Sequence, residues 1–195
     1  MTVRYVALLR GINVGTAKRV GMADLRLLVE GLGCSDVSTL LNSGNIVFSA
    51  SQGEPGKIAV RIQKAMESKL AVSARVMVMS GDELAAVVAA NPLLMAADNP
   101  SRLLVGILGD VSDRERLADI VRKNWGQERI SLGAAPRGQG PDRGSAARAV
   151  YMWMPDGVIK SKLNAAVSRV LGDGVTARNW STMLKLREMT ETGAH

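Results

Sequence analysis

The 195-residue sequence predicts an α+β protein built from two ferredoxin-like (βαββαβ) subdomains with antiparallel sheets, plus a C-terminal helix. Three observations lead there. Apolar runs follow the order strand, helix, strand, strand, helix, strand, and that order occurs twice. In the first copy the second and third strands are separated only by Asn42-Ser43-Gly44-Asn45, the length of a hairpin turn. The helical runs repeat apolar residues every three or four positions, whereas the strand runs are short and rich in β-branched residues. The first subdomain is expected over 1–80, a connecting helix and linker over 81–101, and the second subdomain with the C-terminal helix over 102–195.

Element by element, Val3–Leu9 reads as a buried strand and Arg10–Gly21, with three glycines, as a loop. Met22, Leu25, Leu28, Val29 and Leu32 share one helical stripe, closed by Gly33. Val37–Leu41 and Ile46–Ser49 form the hairpin, with Gly44 free to adopt positive φ. Pro55 suits the first turn of a helix whose apolar face runs through Ile58, Ile62, Met66 and Leu70. Ala74–Met79 is the fourth strand. Ser80-Gly81-Asp82-Glu83 is a capping box opening a short helix that ends before Asn91-Pro92. The second copy begins with the strand Leu103–Leu108, followed by a helix capped by Ser112 with Glu115. Strands Arg129–Leu132 and Ala149–Met154 flank a Gly/Arg/Pro-rich loop over 133–148. A helix over Ser161–Leu171, a strand over Val175–Arg178 and a terminal helix bearing Met183, Leu184 and Leu186 complete the chain.

Composition removes several kinds of function. No apolar run reaches the roughly 20 residues a membrane-spanning helix needs, so no membrane partner is expected. Cys34 is the only cysteine and cannot form an internal disulfide, which with the absence of a signal-like start points to the cytoplasm. His195 is the only histidine, which removes His-based triads and almost every zinc site. No cofactor is expected, and no reaction is legible. The formal charge is +7 with a pI near 10.0. Residues 1–98 carry ten basic and eight acidic side chains, and residues 99–195 carry fifteen and ten, so the surplus lies mainly in the second half. A basic surplus favours acidic partners, either a small anionic ligand or nucleic acid.

The topology then gathers polar residues at sheet ends. In a βαββαβ unit the loop after strand 1 and the hairpin between strands 2 and 3 share one end. Arg10, Gly11, Asn13 and Gly15 are thereby set beside Asn42, Ser43 and Asn45, with Asn13 expected near Asn45. Glycines let backbone approach a ligand, and Arg10, Lys18 and Arg19 offer charge-assisted hydrogen bonds to phosphate or carboxylate. In the second copy Pro155–Lys162 comes near Arg178, Asn179 and Trp180. Lys160 and Lys162 sit where cations are disfavoured, at a helix start, and are read either as facing an anion there or as plain solvated lysines. Trp180 is read either as a stacking surface for a base or as a plug between helix and sheet. Arg137, Arg143 and Arg148 in the long loop are further candidates for touching nucleic acid. Cys34, without cationic neighbours in sequence, reads as a small apolar residue.

Four segments together resemble a known family. They are Tyr5-Val6-Ala7-Leu8-Leu9-Arg10-Gly11-Ile12-Asn13-Val14-Gly15, Asn42-Ser43-Gly44-Asn45-Ile46-Val47-Phe48, Ser161-Lys162-Leu163, and Thr176-Ala177-Arg178-Asn179-Trp180-Ser181-Thr182-Met183-Leu184-Lys185-Leu186. The chain is similar to members of the DUF1697 family, bacterial proteins of unknown function. The resemblance implies an α+β fold of two ferredoxin-like parts and carries over no catalytic residues. It also marks departures: Gly15-Thr16-Ala17-Lys18 stands where the family usually has Gly-Gly-Lys after Asn-Val, Gly21 stands in place of a proline, and Ile159 and Lys160 stand in place of a glycine and an arginine.

The leading functional expectation is binding of a phosphate- or carboxylate-bearing ligand, nucleic acid included, through Arg10–Asn13, Asn42–Asn45 and Arg178–Trp180. The alternatives are a cofactor-free enzyme acting on a small polar metabolite, with Arg, Asn, Lys or Asp156 for positioning and proton transfer, and a protein-interaction scaffold.

Overall fold

The computed structural model describes residues 1–13, 19–134 and 145–192. The chain divides into two compact units, Met1–Leu84 with Leu186–His195, and Ala85–Lys185.

The first unit is built on β1 (Thr2–Arg10), an apolar run long enough to be the centre of a sheet. It is followed by α1 (Met22–Glu30), β2 (Ser35–Leu40), β3 (Asn45–Ser51), α2 (Pro55–Ala65) and β4 (Arg75–Ser80), the expected βαββαβ order. The sheet is antiparallel with strand order β2-β3-β1-β4. Tyr5, Ala7, Leu9, Ile46, Phe48, Val76 and Val78 alternate onto one face and pack with Leu25, Leu28 and Val29 of α1 and Ile58, Ile62 and Met66 of the α2 segment. The intervening Val6, Leu8, Val47, Met77 and Met79 are buried as well. That two-sided burial is why the central strands read as continuous apolar runs rather than alternating ones. Tyr5 stacks on Phe48 with ring centres 5.7 Å apart, and its hydroxyl both donates to the Gly53 carbonyl and accepts from the Gly53 N–H at 3.0 Å.

Helix ends show how neighbouring elements finish what local sequence leaves open. After Ala65 the α2 segment widens into a π-helical turn, Met66–Leu70, and stops at Ala71 in the left-handed conformation. α1 has no basic residue in its last turn, and Arg61 of α2 instead donates to the Leu32 carbonyl just beyond it at 2.8 Å. The capping box at Ser80 forms as the sequence predicts at the start of α3 (Gly81–Ala89). The Glu83 N–H donates to Ser80 Oγ at 3.1 Å, and Glu83 Oε2 accepts from the Ser80 N–H at 2.8 Å.

The second unit repeats the plan around β5 (Leu103–Leu108). After it come the short helices α4 (Asp113–Arg116) and α5 (Ala118–Arg122), then β6 (Arg129–Leu132), β7 (Ala149–Trp153), α6 (Lys162–Leu171) and β8 (Val175–Asn179), with strand order β6-β7-β5-β8. Its helix-side core joins Leu108, Leu117 and Ile120 to Val150, Met152, Leu163, Val167 and Leu171. The last helix, α7 (Trp180–Glu191), crosses the division between the units in sequence.

Two expectations are corrected here. The single helix anticipated after Ser112 is broken at Leu117 into α4 and α5. Ser112 does not cap it through its side chain; Asp110 Oδ1 accepts from both the N–H and the hydroxyl of Ser112, each at 2.8 Å. Asp sits two residues ahead and makes a stronger acceptor than serine, so it takes the turn. Those two hydrogen bonds hold the Asp110 carboxyl below its usual pKa. The other correction concerns Arg148. Its Nε donates to the Leu108 carbonyl at 3.0 Å, and Arg114 donates to the carbonyls of Gly133 and Ala147, so these guanidinium groups tie down the base of the 133–148 loop. Arg137 and Arg143 lie outside the described residues.

Among the described residues no helix is long and apolar enough to cross a membrane.

Candidate functional site

At the end of β1 the chain leaves the sheet through Gly11 (φ 81°) and Asn13 (φ 55°), and the β2–β3 hairpin turns through Gly44 (φ 76°) at the same sheet end. Three backbone positions that favour glycine or asparagine thus lie at one sheet end. Asn13 is what joins them. Its amide donates to the Asn42 carbonyl at 2.9 Å and to the Val20 carbonyl at 3.0 Å, while its Oδ1 accepts from the Val20 N–H at 2.7 Å. The partner on the hairpin is therefore Asn42 and not, as the strand geometry suggested, Asn45. Asn45 is fully buried, and its amide donates to the Leu40 carbonyl at 2.7 Å and to Ser43 Oγ at 3.0 Å, bracing the hairpin from within. Ile12 tucks beneath the turn and is 1% exposed.

This stitching leaves a depression of about 480 Å³ lined by Asn13, Arg19, Val20, Gly21, Met22 and Asn42. Arg19 and Asn42 are exposed, whereas the polar atoms of the Asn13 side chain already serve backbone groups. Arg10 ends β1 at the same end of the sheet and stands directly opposite Arg75 of β4. Like charges paired across strands raise the local positive potential and favour an anion nearby. The start of α1 has no side-chain hydrogen bond to its N-cap Gly21. The Asp24 carboxylate lies over that glycine, at 2.8 Å from where a Cβ would stand, and sets negative charge against the helix N-terminus. The cations at this sheet end are thus Arg19, on the wall of the depression, and the Arg10–Arg75 pair. Arg75 carries no signal of its own in the sequence; only the β1–β4 register brings it beside Arg10. Gly15 and Lys18 lie outside the described residues.

The second predicted cluster is more dispersed. The exits of β7 and β8 do share one sheet end, flanking β5: Leu103 pairs with Trp153 and Leu104 with Asn179. The segment entering β5 ties to both, because Pro100 accepts from the Trp180 N–H and Arg102 accepts from the Met154 N–H, each at 3.1 Å. Asn179 Oδ1 caps α7 by accepting from the Thr182 N–H at 2.9 Å. Trp180 is only 8% exposed, which leaves little of its surface for a base to stack on. Arg178, half-buried, donates to the Ala177 carbonyl at 2.9 Å. Lys162 is exposed at the first position of α6, and the anion at this helix start belongs to the chain itself. Glu128 Oε2 accepts from the Leu163 N–H at 3.1 Å, while Ser161 Oγ caps Asn164 at 2.9 Å.

Elsewhere, Cys34 is half-buried against the first core, and burial pushes its thiol pKa up, with Arg61 opposing more weakly. That disfavours the thiolate a nucleophile requires. Among the described residues no group of three or more His, Cys, Asp or Glu side chains is placed to hold a metal ion. A second groove in the first unit, about 530 Å³, runs between Arg4, Glu30, Asp36, Ser38 and Met189. Its arginine donates to the carbonyls of Asp36 and Met189 and to Ser49 Oγ.

Two four-stranded antiparallel sheets, each with strands in the order 2-3-1-4 and helices after strands 1 and 3, define the class: an α+β protein with two βαββαβ units. Within that class the chain belongs to the DUF1697 family, described as a protein of unknown function, which matches residues 1–135. Among solved structures it is similar to the conserved bacterial protein SP0830 from Streptococcus pneumoniae, with a TM-score of 0.71 and 22% sequence identity over 97% of this chain and 99% of that one. At that identity the likeness establishes the shared fold. No curated protein matches the chain.

Proposed function

We propose that the protein binds a small ligand carrying a phosphate or carboxylate group in the depression between the β1–α1 loop and the β2–β3 hairpin. One observation carries this reading. Asn13 spends its whole side chain joining the two loops, and the concavity so formed has an exposed arginine, Arg19, on its wall and the Arg10–Arg75 pair at the same sheet end. Arginine matches the planar, two-oxygen face of a carboxylate or phosphate with paired N–H donors. Asn42, exposed on the opposite wall, adds a neutral donor and acceptor. Val20 and Met22 supply an apolar floor against which the body of the ligand rests.

Backbone amide shifts in a titration with inorganic phosphate, and separately with acetate, test the site. Binding should move the signals of Arg19, Gly21 and Asn42 together, and Arg19→Ala should weaken it about tenfold or more through loss of a charge-assisted pair. Unmoved amides in this loop at millimolar phosphate and acetate would overturn the proposal.

A further inference from the structure

We infer that one end of the second unit is a docking surface for the sugar–phosphate backbone of nucleic acid. Its strand register assembles this surface from segments distant in sequence. Arg129 opens β6 opposite Trp153 at the end of β7, and Leu103 opens β5 opposite the same Trp153. The β7 exit, the entrance to β5 and the entrance to β6 therefore share one end of the sheet. The hydrogen bond from the Leu163 N–H to Glu128 Oε2 holds the start of α6 there too. Lys123 lies over the Trp125 ring at 4.6 Å, and the Trp125 carbonyl accepts from the Glu128 N–H, which fixes the turn after α5 to the same place.

Six exposed cations are thereby collected: Arg102, Arg122, Lys123, Arg129, Lys160 and Lys162, of which Arg102 also donates to the Pro155 carbonyl and Arg129 to the carbonyls of Gly126 and Glu128. Residues 98–102, 122–129 and 155–162 contain three carboxylates, Asp98, Glu128 and Asp156, and that of Glu128 is engaged by the α6 backbone. The opposite end of the sheet is balanced among its described residues. There Asp110, Asp113, Glu115 and Asp173 stand with Arg114, Arg116, Arg148 and Arg169, and Arg116 pairs with Asp113 at 2.6 Å. The cationic surplus of these two ends is thus concentrated at the first.

The partner follows from the arrangement. The cations sit on separate turns gathered at one sheet end, so that several can neutralise phosphates of one strand together. An anionic membrane is gripped instead by one amphipathic helix with a continuous apolar face. Here α5 is five residues long and the apolar stripe of α6, Leu163, Val167 and Leu171, is buried in the core. The Trp125 indole N–H donates to the Ile120 carbonyl at 2.7 Å and its ring is partly packed, so contact is with phosphates and carries little base preference. The inference is independent of the ligand proposed for the first unit.

Fluorescence anisotropy of the full chain with mixed-sequence single-stranded RNA and DNA across a salt series is the test. With about 0.7 counterions released per phosphate, six contacts give a slope of log K against log salt of about −4. The variant carrying Arg122→Ala, Lys123→Ala, Lys160→Ala and Lys162→Ala should reduce that slope by about 3. A control with Lys57→Ala and Lys64→Ala, both exposed on α2 of the first unit, should leave it unchanged. Absence of binding at low salt, equal losses in the control, or complete displacement of oligonucleotide by phosphatidylserine vesicles would overturn the inference. Equal affinity for RNA and DNA would support recognition of phosphates alone.

Discussion

Replacing Gly44 by alanine probes the junction on which the candidate site depends. Gly44 holds φ at +76°, a conformation that costs a residue with a Cβ about 1 kcal/mol or somewhat more. Space is the second cost. A Cβ built there falls 2.7 Å from Leu9 Cβ and 2.7 Å from Ile12 Cδ1. Leu9 Cβ is fixed to the central strand, and Ile12, at 1% exposure, has no solvent to swing into. The hairpin must therefore shift, straining the 2.8 Å hydrogen bond from the Leu9 N–H to the Gly44 carbonyl. Overpacking of this kind adds about 2 kcal/mol, giving a total near 3 kcal/mol. Gly33→Ala is the matched control, because Gly33 has φ +83° but nothing within 4 Å of its Cβ position. It should lose only the backbone contribution, about 1 kcal/mol. Urea melts followed by far-UV circular dichroism read the difference; tryptophan fluorescence is unsuitable because Trp125, Trp153 and Trp180 all belong to the second unit. Equal destabilisation by the two substitutions would refute the packing of the hairpin turn on Leu9 and Ile12.

Ser80→Ala should lower stability by about 1 kcal/mol through loss of the capping-box acceptor, and adding Glu83→Ala should cost less than the sum of the two single changes because the two bonds support each other; strict additivity in urea midpoints would count against the box. Tyr151, fully buried and donating to the Val87 carbonyl at 2.6 Å, gives a pH signature. Burial raises its phenol pKa above the ordinary 10.0, so the folded state keeps a proton that the unfolded chain releases. Its contribution is intact below pH 10 and declines above it, by up to about 1.4 kcal/mol per pH unit. Tyr151→Phe should therefore flatten the loss of stability between pH 10 and 11 relative to the parent, and parallel pH profiles would exclude this assignment.

The order of elements was legible in the sequence because it rests on local rules. Apolar periodicity distinguishes strand from helix, Asn-Ser-Gly-Asn can only turn, and Ser80 and Glu83 cap from a fixed spacing of three. The broken helix after Asp110 shows where local reading fails. Ser112 and Glu115 have the right spacing, yet Asp110 competes for the same backbone N–H and wins. The family resemblance, carried by the first and last motifs, was legible for a similar reason, being written in contiguous residues.

Partnerships between distant residues were decided only by tertiary structure. Whether Asn13 reaches Asn42 or Asn45 depends on which hairpin carbonyl faces it once Asn45 is buried, and no spacing rule contains that fact. The pairing of Arg10 with Arg75 follows from β1–β4 register, where one residue of slip would turn either side chain to the other face. Trp180 carried two readings in sequence, and only the fold shows how little of it is exposed. The cation cluster of the second unit is likewise unmarked by any basic run, because the sheet collects its members from three separate turns. Sequence fixes what each segment is by nearest-neighbour physics; the fold alone sets which side chains share an electrostatic field, since that field depends on distance through space rather than along the chain.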